Sequence, residues 1–199
     1  MSETLEFFFD YVSPMSYFAF HRVKDVQERL GCEIAYRPFL LSTVMKETGN
    51  RPPAMVAAKG EFYQNDFKRH GKRYGLNFNN NPDFPLNTFA PLTMTVGLSG
   101  HADQYRFMKS CFFHMWEEPK NLADEAVLED VFTRDGFDFD ALKSLYADAE
   151  NRQKLKANTR EALERGVFGA PTFFVGDELY FGQDRLDFVE DALTAKKWV

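Results

Sequence analysis

The feature that most constrains this chain is a short apolar run that leads almost at once into a helix start. Residues 5–9 are nearly all apolar and do not alternate with polar residues, which is typical of a strand buried on both faces. Ser13 then occupies an N-cap position, and Pro14 stands at the first helical position, where no N–H is needed. Ser16 follows one turn later. This pattern predicts a strand, a tight elbow and a helix whose N-terminus faces the end of the strand.

A second motif lies far downstream, where small residues and a proline lead into another strand. Residues 169–172 read Gly-Ala-Pro-Thr and precede a short apolar run. Pro171 is either an edge-strand residue or part of a cis peptide, which would leave backbone groups of Ala170 available to a peptide-like ligand. An elbow combined with such a strand entry is the signature of a thioredoxin-like fold. Redox members carry Cys-x-x-Cys at the elbow, and the two serines found here cannot exchange a disulfide.

The order of the predicted elements indicates one interrupted domain. Strands at 5–9 and 33–41 flank a helix at 16–30 that ends at Gly31, so a βαβ unit with parallel strands is expected. Downstream, the pattern predicts strands at 171–175 and 179–181 between helices at 151–165 and 184–195. Only helices are predicted in between, at 60–74, 88–98, 102–116, 122–133 and 138–148. The expected fold class is α/β: a thioredoxin-like domain of residues 1–42 and 151–199, with an all-helical insertion of residues 43–150.

Composition excludes several classes of function. The net charge is −6 and the basic residues are scattered, which argues against nucleic acid or an anionic membrane as a partner. Cys32 and Cys111 are far apart in the sequence and fit buried thiols of a reducing compartment. The four histidines show no metal-ligand spacing, so no metal is expected. The N-terminus is acidic and no segment resembles a membrane span, so a cytoplasmic location is expected.

Three candidate residues each allow a structural and a ligand-binding interpretation. Ser13 either only caps its helix, or its hydroxyl and the N–H groups of the first turn hold an anion such as a thiolate. Because serine has no thiol, that sulfur would come from a bound thiol. Asn50 is either a turn residue beside Gly49 or a ligand contact. Asp184 is either the N-cap of the last helix or a carboxylate that reaches an ammonium group of a ligand.

Five blocks of sequence, in matching order along nearly the whole chain, resemble one known family. They are residues 9–17 (FDYVSPMSY), 45–53 (MKETGNRPP), 59–66 (KGEFYQND), 166–172 (GVFGAPT) and 181–186 (FGQDRL). The chain is similar to kappa-class glutathione transferases and bacterial 2-hydroxychromene-2-carboxylate isomerases. The resemblance therefore implies a DsbA-like thioredoxin fold interrupted by helices, with glutathione as cofactor and a homodimer as the assembly.

The resemblance also implies roles for individual residues. Ser13 would contact the glutathione sulfur, and Asn50 would contact the bound molecules. Ala170 would supply backbone hydrogen bonds beside a cis Pro171. The γ-glutamyl end would be held by Gln183 and Asp184. Transferase relatives often have serine at the position of Gln183, so the side-chain contact there differs in this chain.

For an isomerase, the implied reaction interconverts 2-hydroxychromene-2-carboxylate and trans-o-hydroxybenzylidenepyruvate in aromatic catabolism. The glutathione thiolate would add to the conjugated carbon, the resulting single bond would rotate, and the thiol would leave. Lys46, Arg51 or Arg69 would pair with the substrate carboxylate, and sequence spacing does not choose among them.

Three other functions stay open at this stage. One is a kappa-type transferase that conjugates electrophiles, and another is a glutathione-binding protein without catalysis. A DsbA-type thiol–disulfide oxidoreductase shares the fold, but it is disfavoured by Ser13 and Ser16.

Overall fold

The computed structural model describes residues 4–195 and contains one four-stranded sheet with the strand order β2-β1-β3-β4. The strands are β1 (Thr4–Phe9), β2 (Glu33–Pro38), β3 (Thr172–Val175) and β4 (Glu178–Phe181). The α-helices are α1 (Pro14–Leu30), α2 (Leu41–Thr48), α3 (Ala57–Tyr74), α4 (Phe89–Gly97), α5 (Gln104–Trp116), α6 (Glu125–Arg134), α7 (Phe139–Ala147), α8 (Ala149–Glu164) and α9 (Leu186–Ala195). Short 3₁₀ turns occur at Pro53–Met55 and Gln183–Arg185.

The strand pairing places the two sequence motifs side by side. β1 pairs with β2 in parallel, which confirms the predicted βαβ unit, and with β3 in antiparallel orientation. β3 in turn pairs with β4, and Thr172 lies opposite Phe181. Because β1 and β3 are neighbours at the centre of the sheet, the elbow after β1 and the proline before β3 meet at one end of it.

Two apolar clusters cover the two faces of the sheet. Phe7, Phe9 and Phe173 join the larger cluster, which includes buried residues of α1, α4, α5 and α9. Phe8 and Phe174 point to the opposite face and pack with buried residues of α2 and α8. Alternation of side chains along a strand produces this division. It also explains why all of β3 is buried, as a strand covered on both faces must be.

One expectation about the second strand was wrong. The sequence pattern extends this strand to residue 41. β2 ends at Pro38, and Phe39 packs against Phe8 in the smaller cluster, with ring centroids 6.2 Å apart. The Phe39 N–H still donates to the Phe9 carbonyl at 3.0 Å, and the chain then leaves the sheet to begin α2 at Leu41.

The segment between β2 and β3 is helical, and the described residues there contain no strand. The helices predicted in this segment occur with ends shifted by a few residues, but α2 was missed. Its N-cap, Leu40, has no side chain that can accept a hydrogen bond, so the usual start signal is absent. The division into a thioredoxin-like domain of residues 1–42 and 151–199 and an insertion of residues 43–150 stays a prediction.

Membrane insertion of a helix finds no support in the part of the chain that the structure describes. None of the helices within residues 4–195 combines the length and the apolar character needed to cross a bilayer.

Candidate functional site

Ser13 links the two motifs through one hydroxyl group. It is the N-cap of α1 in extended conformation, and its Oγ accepts a hydrogen bond from the Ser16 N–H at 3.2 Å. The same hydroxyl donates to the carbonyl oxygen of Ala170 at 3.0 Å. Ser13 is 5% exposed, so these bonds are largely shielded from water. The structure therefore shows the cap, and it adds a contact with the downstream motif that a cap alone does not require.

The peptide bond between Ala170 and Pro171 is cis, one of the two interpretations of the sequence. Hydrogen bonds on both sides hold this loop in place. Thr172 Oγ1 donates to the Gly169 carbonyl at 2.9 Å, and the Gly182 N–H donates to the Pro171 carbonyl at 3.0 Å. Within residues 4–195, the N–H of Ala170 has no acceptor, so it is available to a ligand.

Asn50 lies beside the same loop, although it is far away in the sequence. Its Nδ2 donates to the Phe168 carbonyl at 2.7 Å, and its Oδ1 accepts from the Arg51 N–H at 2.8 Å. The second bond is typical of a turn residue, and the first places the asparagine next to the Ala170 loop. The structure therefore brings together Ser13, Asn50, Ala170 and Pro171.

The side chain of Gln183 is engaged within the protein. Gln183 is 2% exposed, and its Oε1 accepts from Arg22 Nη1 at 3.0 Å and from the Tyr74 hydroxyl at 3.2 Å. Its Nε2 lies 3.2 Å from Nε2 of His70. These partners come from α1 and α3, so the side chain joins both helices to the turn before α9. Arg22 also donates to the backbone carbonyl of Gln183, so the backbone N–H of this residue is the group that a ligand would meet.

The structure corrects the interpretation of Asp184 as the N-cap of the last helix. Asp184 lies inside the 3₁₀ turn Gln183–Arg185, whose N-cap is Gly182 with φ 105°, and α9 begins only at Leu186. The carboxylate of Asp184 is exposed and accepts from Arg185 Nη1 at 2.8 Å. The carboxylate is thus accessible to a cationic group of a ligand, in competition with Arg185.

The three candidate basic residues differ in their surroundings. Arg69 forms an ion pair with Asp66 at 3.4 Å and lies over the ring of Phe62. Among the described residues, Lys46 and Arg51 have no such carboxylate partner. Arg51 also follows Asn50 directly. Arg51 and Lys46 are therefore the two candidates whose charge is not already paired within residues 4–195.

Sequence reasoning missed the residues that hold the elbow in position. Asp10 is 2% exposed; its Oδ1 accepts from the Thr88 hydroxyl at 2.6 Å, and its Oδ2 accepts from the Leu41 N–H at 3.0 Å. Burial raises the pKa of the Asp10 carboxyl above its ordinary value, although these donors oppose the shift. Trp116 donates through Nε1 to the Tyr11 carbonyl at 2.9 Å. An aspartate directly after a buried strand was the available signal.

The remaining polar and thiol groups clarify what the site lacks. Ser16 is fully buried, and its Oγ has no hydrogen-bond partner among residues 4–195. Cys32 and Cys111 are buried and form no disulfide, and burial raises the pKa of the Cys111 thiol well above its ordinary value. In residues 4–195, no group of three or more His, Cys, Asp or Glu side chains could hold a metal ion. The described site therefore has hydroxyl, amide and backbone groups but no thiol of its own.

Comparison with known proteins agrees with this arrangement. A family model described as the DSBA-like thioredoxin domain matches residues 4–194. The chain belongs to that family.

Particular relatives refine the assignment. The chain is 29% identical over 195 residues to a 2-hydroxychromene-2-carboxylate isomerase of Sphingobium xenophagum, covering 97% of this chain and 99% of the relative. It is 27% identical over 203 residues to glutathione S-transferase kappa 1 of Caenorhabditis elegans, covering 95% and 90%. A solved structure of 2-hydroxychromene-2-carboxylate isomerase superposes with a TM-score of 0.87 at 26% identity, covering 97% of this chain and 95% of that one. The chain is thus similar over nearly its whole length to both kinds of enzyme, and it is an enzyme itself.

Proposed function

We propose that the protein is a glutathione-dependent isomerase that interconverts 2-hydroxychromene-2-carboxylate and trans-o-hydroxybenzylidenepyruvate. One observation carries this proposal: the Ser13 hydroxyl, at the N-terminus of α1, lies within hydrogen-bond distance of the Ala170 carbonyl. A tripeptide thiol needs both kinds of group, a donor for its sulfur and a backbone edge for its peptide unit.

The N-terminus of α1 suits a thiolate. Pro14 has no N–H, and the Ser16 N–H is used by Ser13, so Met15 offers the first-turn N–H that has no acceptor within residues 4–195. The helix end carries partial positive charge, which favours an anion and lowers the pKa of a nearby thiol. Ser13 and the Met15 N–H would hold the sulfur.

Binding requires the Ser13 hydroxyl to change its acceptor. A hydroxyl group has one proton, and this proton is donated to the Ala170 carbonyl. When Ser13 turns its proton toward a thiolate, the Ala170 carbonyl is released. That carbonyl and the unpaired Ala170 N–H then match the N–H and C=O of a peptide ligand. The number of hydrogen bonds is the same before and after this exchange, so the exchange requires little free energy.

Bound glutathione would supply a thiolate that adds to the conjugated carbon of the ring-opened keto form of the substrate, with the electron pair passing to the carbonyl oxygen and returning to expel the same thiolate after the carbon–carbon single bond has rotated. The protein residues position the reactants, which can contribute much of the rate. Asn50 and Arg51 would orient the substrate, with Lys46 as the second cationic candidate and Arg69 as the least available. Gln183 through its backbone and Asp184 through its carboxylate would hold the γ-glutamyl end.

The proposal extends to the setting of the enzyme. It includes a homodimer and a role in aromatic catabolism, which the resemblance implies, and a cytoplasmic location, which the sequence predicts. Light scattering on a sizing column would test the homodimer directly.

Two measurements test the function. Calorimetric titration with glutathione should show binding, and the absence of heat at millimolar glutathione would remove the proposal. Purified protein should then interconvert the chromene carboxylate and the benzylidenepyruvate without net consumption of glutathione. A kappa-type transferase would instead consume glutathione stoichiometrically with a generic electrophile such as chlorodinitrobenzene and leave the chromene carboxylate unchanged.

A further inference from the structure

Two phenylalanine side chains form an exposed aromatic pair next to the Ala170 loop. Phe168 is 39% exposed and Phe181 is 40% exposed, and their ring centroids are 4.5 Å apart at an interplanar angle of 50°. Large aromatic rings are usually buried, so a pair that stays accessible to solvent beside a candidate site suggests a contact with another molecule.

The backbone fixes this pair relative to the site. Phe168 precedes Ala170 by two residues, so their Cα atoms are at most about 7 Å apart. The Phe168 carbonyl accepts the hydrogen bond from Asn50. Phe181 lies opposite Thr172 in the ladder between β3 and β4. Phe168 is therefore part of the loop whose Ala170 carbonyl meets Ser13, and Phe181 lies on the strand beside it.

Gly169 determines how closely the second ring approaches. A Cβ atom at this position would lie 2.7 Å from the ring of Phe181 and 3.7 Å from Nδ2 of Asn50. Any other residue would push the ring away from the loop. The edge of this ring and the Asn50 amide therefore lie on the same side of Gly169, no farther apart than the sum of those distances.

We propose that Phe168 and Phe181 form the binding surface for the aromatic ring of a planar aromatic carboxylate, with the carboxylate directed to Arg51. The rings supply an apolar platform, and Asn50 and Arg51 supply a hydrogen-bond donor and a cation that has no carboxylate partner in the described residues. A small anionic aromatic molecule matches this combination. The orientation of that molecule toward Ser13 rests on the proposed function, but its binding to the platform does not require glutathione.

Binding of a stable probe, measured without glutathione, tests the platform. The probe is chromone-2-carboxylate, and saturation-transfer NMR and titration would compare wild type with Phe168→Ala and Phe181→Ala. Each substitution should raise the Kd for the probe by about 2- to 13-fold, the range expected for losing one aromatic contact. Phe188→Ala is the matched control, because Phe188 is 57% exposed but lies on α9, and its Kd should equal that of wild type.

Further variants separate stacking from general apolar contact and from misfolding. Phe181→Leu keeps apolar volume and should lose most of the same affinity, while its unfolding temperature stays near that of wild type. Cyclohexanecarboxylate, which has no aromatic ring, should bind the wild type more weakly than the probe does. Calorimetry should show that the Kd for glutathione is unchanged in both alanine variants.

The outcomes distinguish this inference from the proposed function. Equal affinity of the probe for wild type and both alanine variants would overturn the platform, as would equal binding of the saturated carboxylate. A change in oligomeric state without a change in probe affinity would also overturn it and assign the rings to an interface. Failure of glutathione to bind, together with normal ring-dependent binding of the probe, would reject the proposed function and leave the platform in place.

Discussion

At the scale of single residues, the chemistry of the candidate site depends on the one proton of the Ser13 hydroxyl. That proton is donated to the Ala170 carbonyl, while the oxygen accepts from the Ser16 N–H. A cap needs only the second bond. The first bond links the helix to the cis-proline loop, and it is the bond that a bound thiolate would replace.

Ser13→Gly separates capping from support of the thiolate. Glycine caps a helix nearly as well as serine, so the free energy of unfolding should fall by about 1 kcal/mol or less. Isomerase turnover should fall by about 10- to 150-fold, since a hydrogen bond to a charged group contributes about 1.5–3 kcal/mol. The pKa of bound glutathione, followed by thiolate absorbance, should rise in the variant.

Ser16 offers the matched control for this prediction. Its Oγ is buried without a partner, so Ser16→Ala removes an unsatisfied hydroxyl and should leave turnover and the thiol pKa close to those of wild type. Normal turnover with an unshifted thiol pKa in Ser13→Gly would reduce Ser13 to a helix cap.

His21 should make stability depend on pH. Burial lowers the pKa of His21 to about 4, with a smaller contribution from Lys109, and Asp25 opposes the shift without reversing it. The ordinary value in an unfolded chain is about 6.5. Between these values the unfolded state binds more protons, so this contribution to stability is present above pH of about 6.5 and is lost as the pH falls toward 4. The loss should be about 1–3 kcal/mol.

Denaturant unfolding at several pH values tests this assignment. His21→Gln should flatten the pH dependence in that window, while His101→Gln, which changes an exposed histidine, should leave it as in wild type. Parallel curves for wild type and His21→Gln would assign the acid sensitivity to other groups.

Local signals made some of these residues predictable from sequence and left others hidden. Ser13 with Pro14 and Ala170 with Pro171 are short patterns whose geometry is set by neighbouring residues. The environment of Gln183 is not local, because Arg22, His70 and Tyr74 come from two distant helices. Sequence reasoning therefore named the position but could not show that its side chain is already engaged.

At the scale of secondary-structure elements, Asp10 acts as a remote cap. Its carboxylate accepts hydrogen bonds from the Leu41 N–H at the start of α2 and from the side-chain hydroxyl of Thr88, the residue before α4. It also accepts from the Val12 N–H in the elbow. The N-cap positions of both helices lack a side-chain hydrogen bond of their own. This explains why α2 was missed: its capping group is Asp10, which follows β1 and stands about 30 residues earlier in the chain.

Asp10→Ala should therefore destabilise several elements together. Three donors lose a buried acceptor, so the free energy of unfolding should fall by about 2–4 kcal/mol, measured by urea denaturation. Asp124→Ala is the control: Asp124 caps only α6 from an exposed position, so its loss should be about 0.5–2 kcal/mol. An equal, small effect of both substitutions would show that the elbow is held by other contacts.

At the scale of the whole molecule, the order of the strands and helices could be predicted from the sequence. Which distant residues meet at the candidate site could be predicted only in part. The βαβ start and the ββα end have strong periodic patterns, and together they predict a thioredoxin-like sheet. Asn50 reaches the Ala170 loop because α2 on one face of the sheet ends close to it, a proximity that no local pattern encodes. From its residues alone the sequence left Asn50 as either a turn residue or a ligand contact, and the family resemblance assigned it the contact.

Because the proposed glutathione site joins α1, the loop before β3 and the turn before α9, binding should stabilise the whole fold. A ligand at one hundred times its Kd adds about 2.7 kcal/mol to the free energy of unfolding. For a chain of about this length, that corresponds to a rise in the unfolding temperature of about 5–10 °C, measured by calorimetry at saturating and zero glutathione. S-methylglutathione keeps the peptide and γ-glutamyl groups but has no ionisable thiol. At the same concentration as glutathione, it should therefore give a smaller rise in the unfolding temperature. Equal shifts for both ligands in wild type would mean that the helix N-terminus does not recognise the sulfur. The same conclusion would follow if the difference between the two shifts were as large in Ser13→Gly as in wild type.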